Sequence, residues 1–256
     1  MLGAMIGDIV GSVYEWHNIK TTDFPLFSGR CFFTDDTVLT AATAQAIMNG
    51  TNYSAVYQDF ARRYPGRGYG GNFGGWIWAE NPQPYNSWGN GSAMRVSPVG
   101  FVFNDIEALL AEAKRSAEVT HNHPEGIKGA QSTALAIFMG RQGASKAEIC
   151  EEISGRFGYS LDRTLDDIRP QYTFNVSCQG SVPEAIIAFL ESSDYEDAVR
   201  KAVSLGGDSD TIACITGGIA EAFYSPLPKI ISEQSMNILD DSLREIVEKF
   251  YKKYID

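Results

Sequence analysis

Apolar residues recur along this chain at steps of three and four, and convincing period-two alternation is scarce. That spacing is the signature of amphipathic helices, and it predicts an all-α fold. Thr37 to Met48 places Val38, Leu39, Ala42, Ala46 and Ile47 along one face. Ala108 to Ala117 follows Asp105, a capping residue type. Ala130 to Phe138 is alanine-rich, and Ala198 to Leu205 also reads as helix. A segment from Val182 to Leu190 is predicted to start just before Pro183, because proline suits a first helical turn. Thr211 to Phe223 presents Ile212, Ile215, Ile219 and Phe223. The last segment carries Leu239, Leu243, Ile246, Val247 and Phe250, with Ser235 or Asn237 as its predicted cap. Gly100 to Phe103 is apolar but too short to assign. The pattern predicts roughly ten or more short helices in one compact orthogonal bundle, a single domain over 1–256. No fixed-period repeat points to a solenoid.

A chain of 256 residues, 44% of them hydrophobic, can bury a core without staples. Acidic residues number 32 against 21 basic ones, for a net charge of −11. That balance argues against a general nucleic-acid binder, which needs a cationic footprint. Cys31, Cys150, Cys178 and Cys214 form no C-x-x-C pair, so reduced and mostly buried thiols are expected, as in a cytoplasmic protein. The first residues lack a basic segment and Asp8 interrupts them, so no signal peptide is expected. No run approaches the roughly 18 apolar residues of a membrane span.

Between residues 65 and 98 the helical period breaks into Gly, Pro, Asn and aromatic residues, including Trp76, Trp78, Tyr85 and Trp88. Long irregular stretches inside compact domains are usually functional, so this one is expected to face a ligand. Gly66-Arg67-Gly68-Tyr69-Gly70-Gly71 formally matches G-x-G-x-x-G, but no strand precedes it, and a dinucleotide-binding reading is rejected.

Two strings stand directly before apolar helices: Thr34-Asp35-Asp36-Thr37 and Gly207-Asp208-Ser209-Asp210-Thr211. Either alone suits an acidic helix cap. Together they hold four carboxylates, a hard-oxygen set suited to Mg2+ or Mn2+ if the two helices meet. A D-x-D-T string also occurs in phosphatases that form an aspartyl phosphate, but there it follows a strand, and here the preceding segment reads as helix. Gly7-Asp8 through Gly11 to Glu15 reads as one helix with Asp8 and Glu15 on a shared face. An acidic residue there is either buried in polar contacts or catalytic. Trp88-Gly89-Asn90-Gly91-Ser92-Ala93-Met94-Arg95 can form a tight turn or present backbone amides to phosphate. Thr120-His121-Asn122-His123-Pro124 holds two of three histidines, the third being His17. A zinc site of three histidines is a weaker reading than the carboxylate set. A backbone-bonded histidine and a substrate contact are the other two readings.

In this order, together with Ser181-Val182-Pro183-Glu184-Ala185, these strings resemble the ADP-ribosylglycohydrolase family, which includes the dinitrogenase-reductase-activating glycohydrolases. The resemblance implies an all-α fold and a binuclear Mg2+ site, with Mn2+ as an alternative. Its ligands would be Thr34, Asp35, Asp36, Asp208, Asp210 and Thr211. Glu15 and Asp35 would be the candidate catalytic bases. Ser87, Trp88, Gly89, Asn90, Gly91 and Ser92 would embrace a pyrophosphate and its ribose, with Met94, His121, Gly207 and Ser209 as further substrate contacts. The implied substrate is an ADP-ribosylated protein, first of all at arginine, or an ADP-ribose-containing small molecule. Alternatives are O-acetyl-ADP-ribose, ADP-ribosylated serine or nucleic acid, or a non-catalytic binding or structural relative. A cytoplasmic monomer with no membrane association is expected.

Overall fold

Helices account for nearly all the regular structure in the computed structural model, which describes residues 1–255. In chain order they are α1 (Leu2–Gly11), α2 (Asp35–Asn49), α3 (Tyr53–Arg63), α4 (Gly71–Trp76) and α5 (Gly91–Met94). Next come α6 (Ser97–Val102), α7 (Ile106–Glu118), α8 (Pro124–Arg141), α9 (Lys146–Phe157) and α10 (Leu165–Ile168). The last are α11 (Cys178–Leu190), α12 (Tyr195–Ser204), α13 (Ser209–Tyr224), α14 (Lys229–Ile238) and α15 (Asp241–Tyr254). Among the described residues the only β-type pairing is one antiparallel bridge between Gly89 and Ser177. No helix among the described residues is long and apolar enough to cross a membrane.

Side-chain caps explain many of the starts. Thr34 accepts from the Asp36 amide at α2, and Asp105 accepts from Ala108 at 2.8 Å, as the sequence predicts for α7. Other boundaries move. The α15 cap is Asp240, which accepts from Leu243 at 2.9 Å, and not Ser235 or Asn237, which lie within α14. Ser177 caps α11, so Pro183 is interior rather than in the first turn. The apolar period begins only at Val182, which hid that polar first turn. Gly100 to Phe103 largely falls in α6, whose Pro98 sits in its first turn. The irregular stretch contains α4, where Phe73 and Trp76 stack at 5.3 Å and are buried. Burial of those rings offsets the poor helix propensity of its glycines. All four cysteines are free: Cys178 and Cys214 are buried, Cys31 and Cys150 only partly so.

Helix α13 is the axis of the fold, buried from Ser209 to Ala222. Helix α1 is buried along its whole length and runs antiparallel to it. Their backbones touch because α1 carries glycine every fourth residue. A methyl group on Gly11 would lie 2.5 Å from the Asp210 Cα, and one on Gly3 would lie 2.5 Å from the Gly217 carbonyl oxygen. One on Gly7 would overlap the Ala213 carbonyl. Gly7→Ala is therefore expected to cost about 2–3 kcal/mol and lower the melting temperature by roughly 5–10 °C. A thermal scan checks this, and an unchanged melting temperature would contradict the backbone contact.

Candidate active site

The close approach of α1 and α13 brings three chain segments to one point. Asp8, on α1, is buried and accepts from the Thr34 amide at 3.0 Å, the Thr34 hydroxyl at 2.7 Å and the Thr37 amide at 3.0 Å, as well as from the Thr37 hydroxyl. Of the two readings open for Asp8, burial in polar contacts is the one realised. It clamps the first turn of α2 against α1. The two acidic helix starts then meet: the Thr211 hydroxyl donates to Asp36 Oδ2 at 3.3 Å.

Two carboxylate groups result. Oxygens of Asp8, Asp36 and Asp210 lie within 4.8 Å of one another, as do those of Glu15, Asp208 and Asp210, so Asp210 belongs to both. Among the described residues no histidine or cysteine joins such a group, which removes the zinc reading. Asp36 and Asp210 are buried, and each leaves Oδ1 without a hydrogen-bond partner. Unpartnered buried carboxylate oxygens suit a hard divalent cation, which prefers oxygen ligands. The residues present therefore fit a metal.

Glu15 lies beyond the end of α1, in the following turn, and not on that helix as expected. The turn is held by Asn18, whose side chain both donates to the Gly207 carbonyl at 3.0 Å and accepts from the Gly207 amide at 2.8 Å. Asn18 Nδ2 also donates to the Glu15 carbonyl at 2.9 Å. Asn18 thereby pins the turn to the loop before α13. It was invisible in the sequence because it lies outside every motif. Asp35 stands outside both carboxylate groups: its amide donates to the Arg67 carbonyl at 2.8 Å and its side chain faces Gly68 at the cavity wall. The Thr34 hydroxyl is committed to Asp8.

Electrostatics follows from burial of like charges. Desolvation pushes Asp8 up to about 6, against its four hydrogen bonds from Thr34 and Thr37. Desolvation and then the Asp208 charge push Glu15 up to about 7. Burial, followed by neighbouring carboxylates, raises Asp35, Asp36 and Asp210 well above the ordinary range. Asp208 is raised less, because Asn90 donates to its Oδ2 at 2.7 Å.

Glu15, Asp35, Asp36, Asp208 and Asp210 line a cavity of about 560 Å³; Asp8 lies behind them. The lining also holds Ser87, Trp88, Gly89, Asn90, Gly91 and Met94, as expected, with His121 beside them. Three expected contacts are not in the lining. Ser92 is buried and donates to the Gly126 carbonyl at 2.7 Å. Ser209 donates to Gly11, and the Gly207 amide serves Asn18. Two loop amides are also committed: Gly89 N–H donates to Ser87 Oγ at 3.1 Å, and Asn90 N–H donates to Val176 at 2.8 Å. The loop is thus a rigid wall tied to the Val176–Cys178 segment, and these two amides are not free for phosphate. Tyr85, from the irregular stretch expected to face a ligand, is in the lining, and the sequence reading missed Trp16, Phe174 and Arg95 there. Trp16 and Phe174 stack at 5.5 Å at the exposed rim beside Glu15. Exposed aromatics next to an acidic turn were the available signal. No strand precedes Asp208, since α12 does, so the aspartyl-phosphate reading is excluded.

In chelator-treated protein the raised carboxylates hold protons that the unfolded chain releases. Their stabilising contribution is complete below pH about 4 and is lost as pH rises through about 6 and about 7. The gain in melting temperature on adding Mg2+ should therefore grow between about pH 5 and pH 8. A gain that is absent or independent of pH would contradict the site.

Comparison with known proteins agrees with this geometry. ADP-ribosylhydrolase ARH3 of Homo sapiens is 27% identical, over an alignment that covers 97% of this chain and 93% of that protein. ADP-ribosylarginine hydrolase Tri1 of Pseudomonas putida (strain GB-1) is 24% identical, covering 88% of this chain and 69% of that protein. A solved structure described as an ADP-ribosylglycohydrolase-related protein complex shares the fold, with a TM-score of 0.73 at 23% identity, over 98% of this chain and 96% of that one. A family profile described as ADP-ribosylglycohydrolase matches residues 1–255. The chain belongs to the ADP-ribosylglycohydrolase family, and is a glycohydrolase by that membership.

Proposed function

We propose that this protein hydrolyses the C1″ glycosidic bond between ADP-ribose and a protein side chain, foremost arginine, with two Mg2+ ions. The observation that carries this reading is the meeting of the two acidic helix starts on one wall of a nucleotide-sized cavity. Asp36, Asp208 and Asp210 would hold the cations, with Thr211 and Glu15 adjoining them and Asp8 orienting the Thr34–Thr37 turn. When bound, such cations supply Lewis-acid stabilisation and orient substrate oxygens.

The remaining work falls to side chains of the cavity. Tyr85 and Trp88 offer ring faces for a base, and the Ser87 hydroxyl and His121 offer hydrogen bonds for a pyrophosphate. That places the distal ribose toward the carboxylates. Breaking the bond at C1″ develops positive charge on the ribose, which nearby carboxylates favour. Water attacks C1″ as the bond to the acceptor nitrogen breaks; the water gives up a proton and the departing guanidine gains one. Glu15 is favoured over Asp35 as the group that takes the proton from water. It lies in a carboxylate group beside Asp208 on the cavity wall, whereas Asp35 stands outside both groups. The stacked Trp16–Phe174 pair beside Glu15 suits a planar guanidinium, and the relative named for ADP-ribosylarginine supports the same acceptor. Four free thiols fit a reducing cytoplasmic setting.

Incubation with arginine- and serine-ADP-ribosylated proteins, with Mg2+ or chelator, tests the reading. Free ADP-ribose is expected from the arginine substrate with Mg2+. Asp36→Ala and Asp210→Ala should each lower kcat/KM by at least about 100-fold. Release from serine alone would overturn the acceptor assignment, equal release in chelator would overturn the metal requirement, and no release from either substrate would overturn both.

A further inference from the structure

Arg95 is fully buried, and its Nε and Nη1 have no hydrogen-bond partner among the described residues. Its guanidinium lies 4.2 Å over the Tyr57 ring, and Nη2 donates to the Ser116 carbonyl at 3.2 Å and to Thr120 Oγ1 at 2.8 Å. An arginine can only donate, so the Thr120 oxygen is the acceptor in that contact. Thr120 has a single proton left to give. If His121 Nδ1 donated to the second lone pair of Thr120, the threonine proton would be left only the Ala117 carbonyl at 3.5 Å, the limit of a hydrogen bond; donation to His121 Nδ1 at 2.8 Å is the stronger arrangement.

From this polarity we infer that Arg95 and Thr120 are positioning residues that lock His121 in the Nε2–H tautomer, making it a hydrogen-bond donor to an anionic oxygen in the cavity. With Nδ1 accepting, a neutral imidazole must carry its proton on Nε2. Burial, and then the nearby Arg95 charge, lowers the His121 pKa well below its ordinary value, which keeps the ring neutral. Nε2 faces the wall formed by Gly91 and Gly89, where added methyl groups would lie 3.1 and 3.6 Å from it. The glycines leave that nitrogen open to the cavity. A neutral donor of fixed direction binds phosphate oxygens and does not remove a proton, so His121 is excluded as the base. The ligand's identity rests on the proposed function; the tautomer does not.

Nitrogen-15 NMR of the labelled whole protein at neutral pH reads the tautomer directly, with His121→Gln assigning the signal among three histidines. The expected pattern is an unprotonated Nδ1 and a protonated Nε2. Thr120→Val should mix the tautomers and weaken calorimetric ADP-ribose binding about tenfold with kcat nearly unchanged, while Thr120→Ser restores both. His121→Gln, whose amide overlies Nε2, should retain more affinity than His121→Asn, whose amide overlies Nδ1. A protonated Nδ1 or an imidazolium in the unmodified protein would overturn the inference, whether or not Thr120→Val folds. The expected NMR pattern without ADP-ribose binding would instead count against the proposed function and leave the relay standing.

Discussion

Backbone contact between α1 and α13 is the constraint on which the rest of the site depends. Gly3, Gly7 and Gly11 remove the side chains that would hold these helices apart, so Gly11 meets the Asp210 backbone directly. At that distance Asp8 reaches the start of α2, and Asp36 reaches Thr211. A wider helix pair would separate the same carboxylates and leave two ordinary acidic caps.

The arrangement concentrates negative charge where water is scarce. Asp8, Asp36, Asp208 and Asp210 are all buried, and each is pushed toward its protonated form. Threonine hydroxyls, two amides and Asn90 satisfy part of that set, and the Asp36 and Asp210 Oδ1 atoms are left over. A fold does not retain such groups for stability, because buried unpaired carboxylates are destabilising. Their meaning is a ligand of opposite charge. Elsewhere in the lining the problem is inverted: Arg95 is a buried cation held by a ring face and neutral oxygens.

Much of this was legible in the sequence. The three-four period gave the helices, and the paired Asp-Thr strings gave the two acidic starts. Less legible was whatever depends on hydrogen bonds between distant residues. Asn18 belongs to no motif, yet its amide aligns Glu15 with the loop before α13. Ser92 and Ser209 sit inside matching strings but turn away to cap carbonyls of other helices. Local spacing says which residues share a face, and cannot say which face a neighbouring segment covers. The same limit applies to Asp35, adjacent to Asp36 in sequence but outside both carboxylate groups in space.

The central claim is that hard cations sit between the starts of α2 and α13. Anomalous diffraction from crystals soaked in Mn2+ tests it without reference to any substrate. The account predicts two manganese peaks, one against Asp36 and Asp210 and one against Asp208 and Asp210, with Glu15 adjoining the second. Manganese bound only elsewhere on this acidic surface, with both carboxylate groups bare, would contradict it.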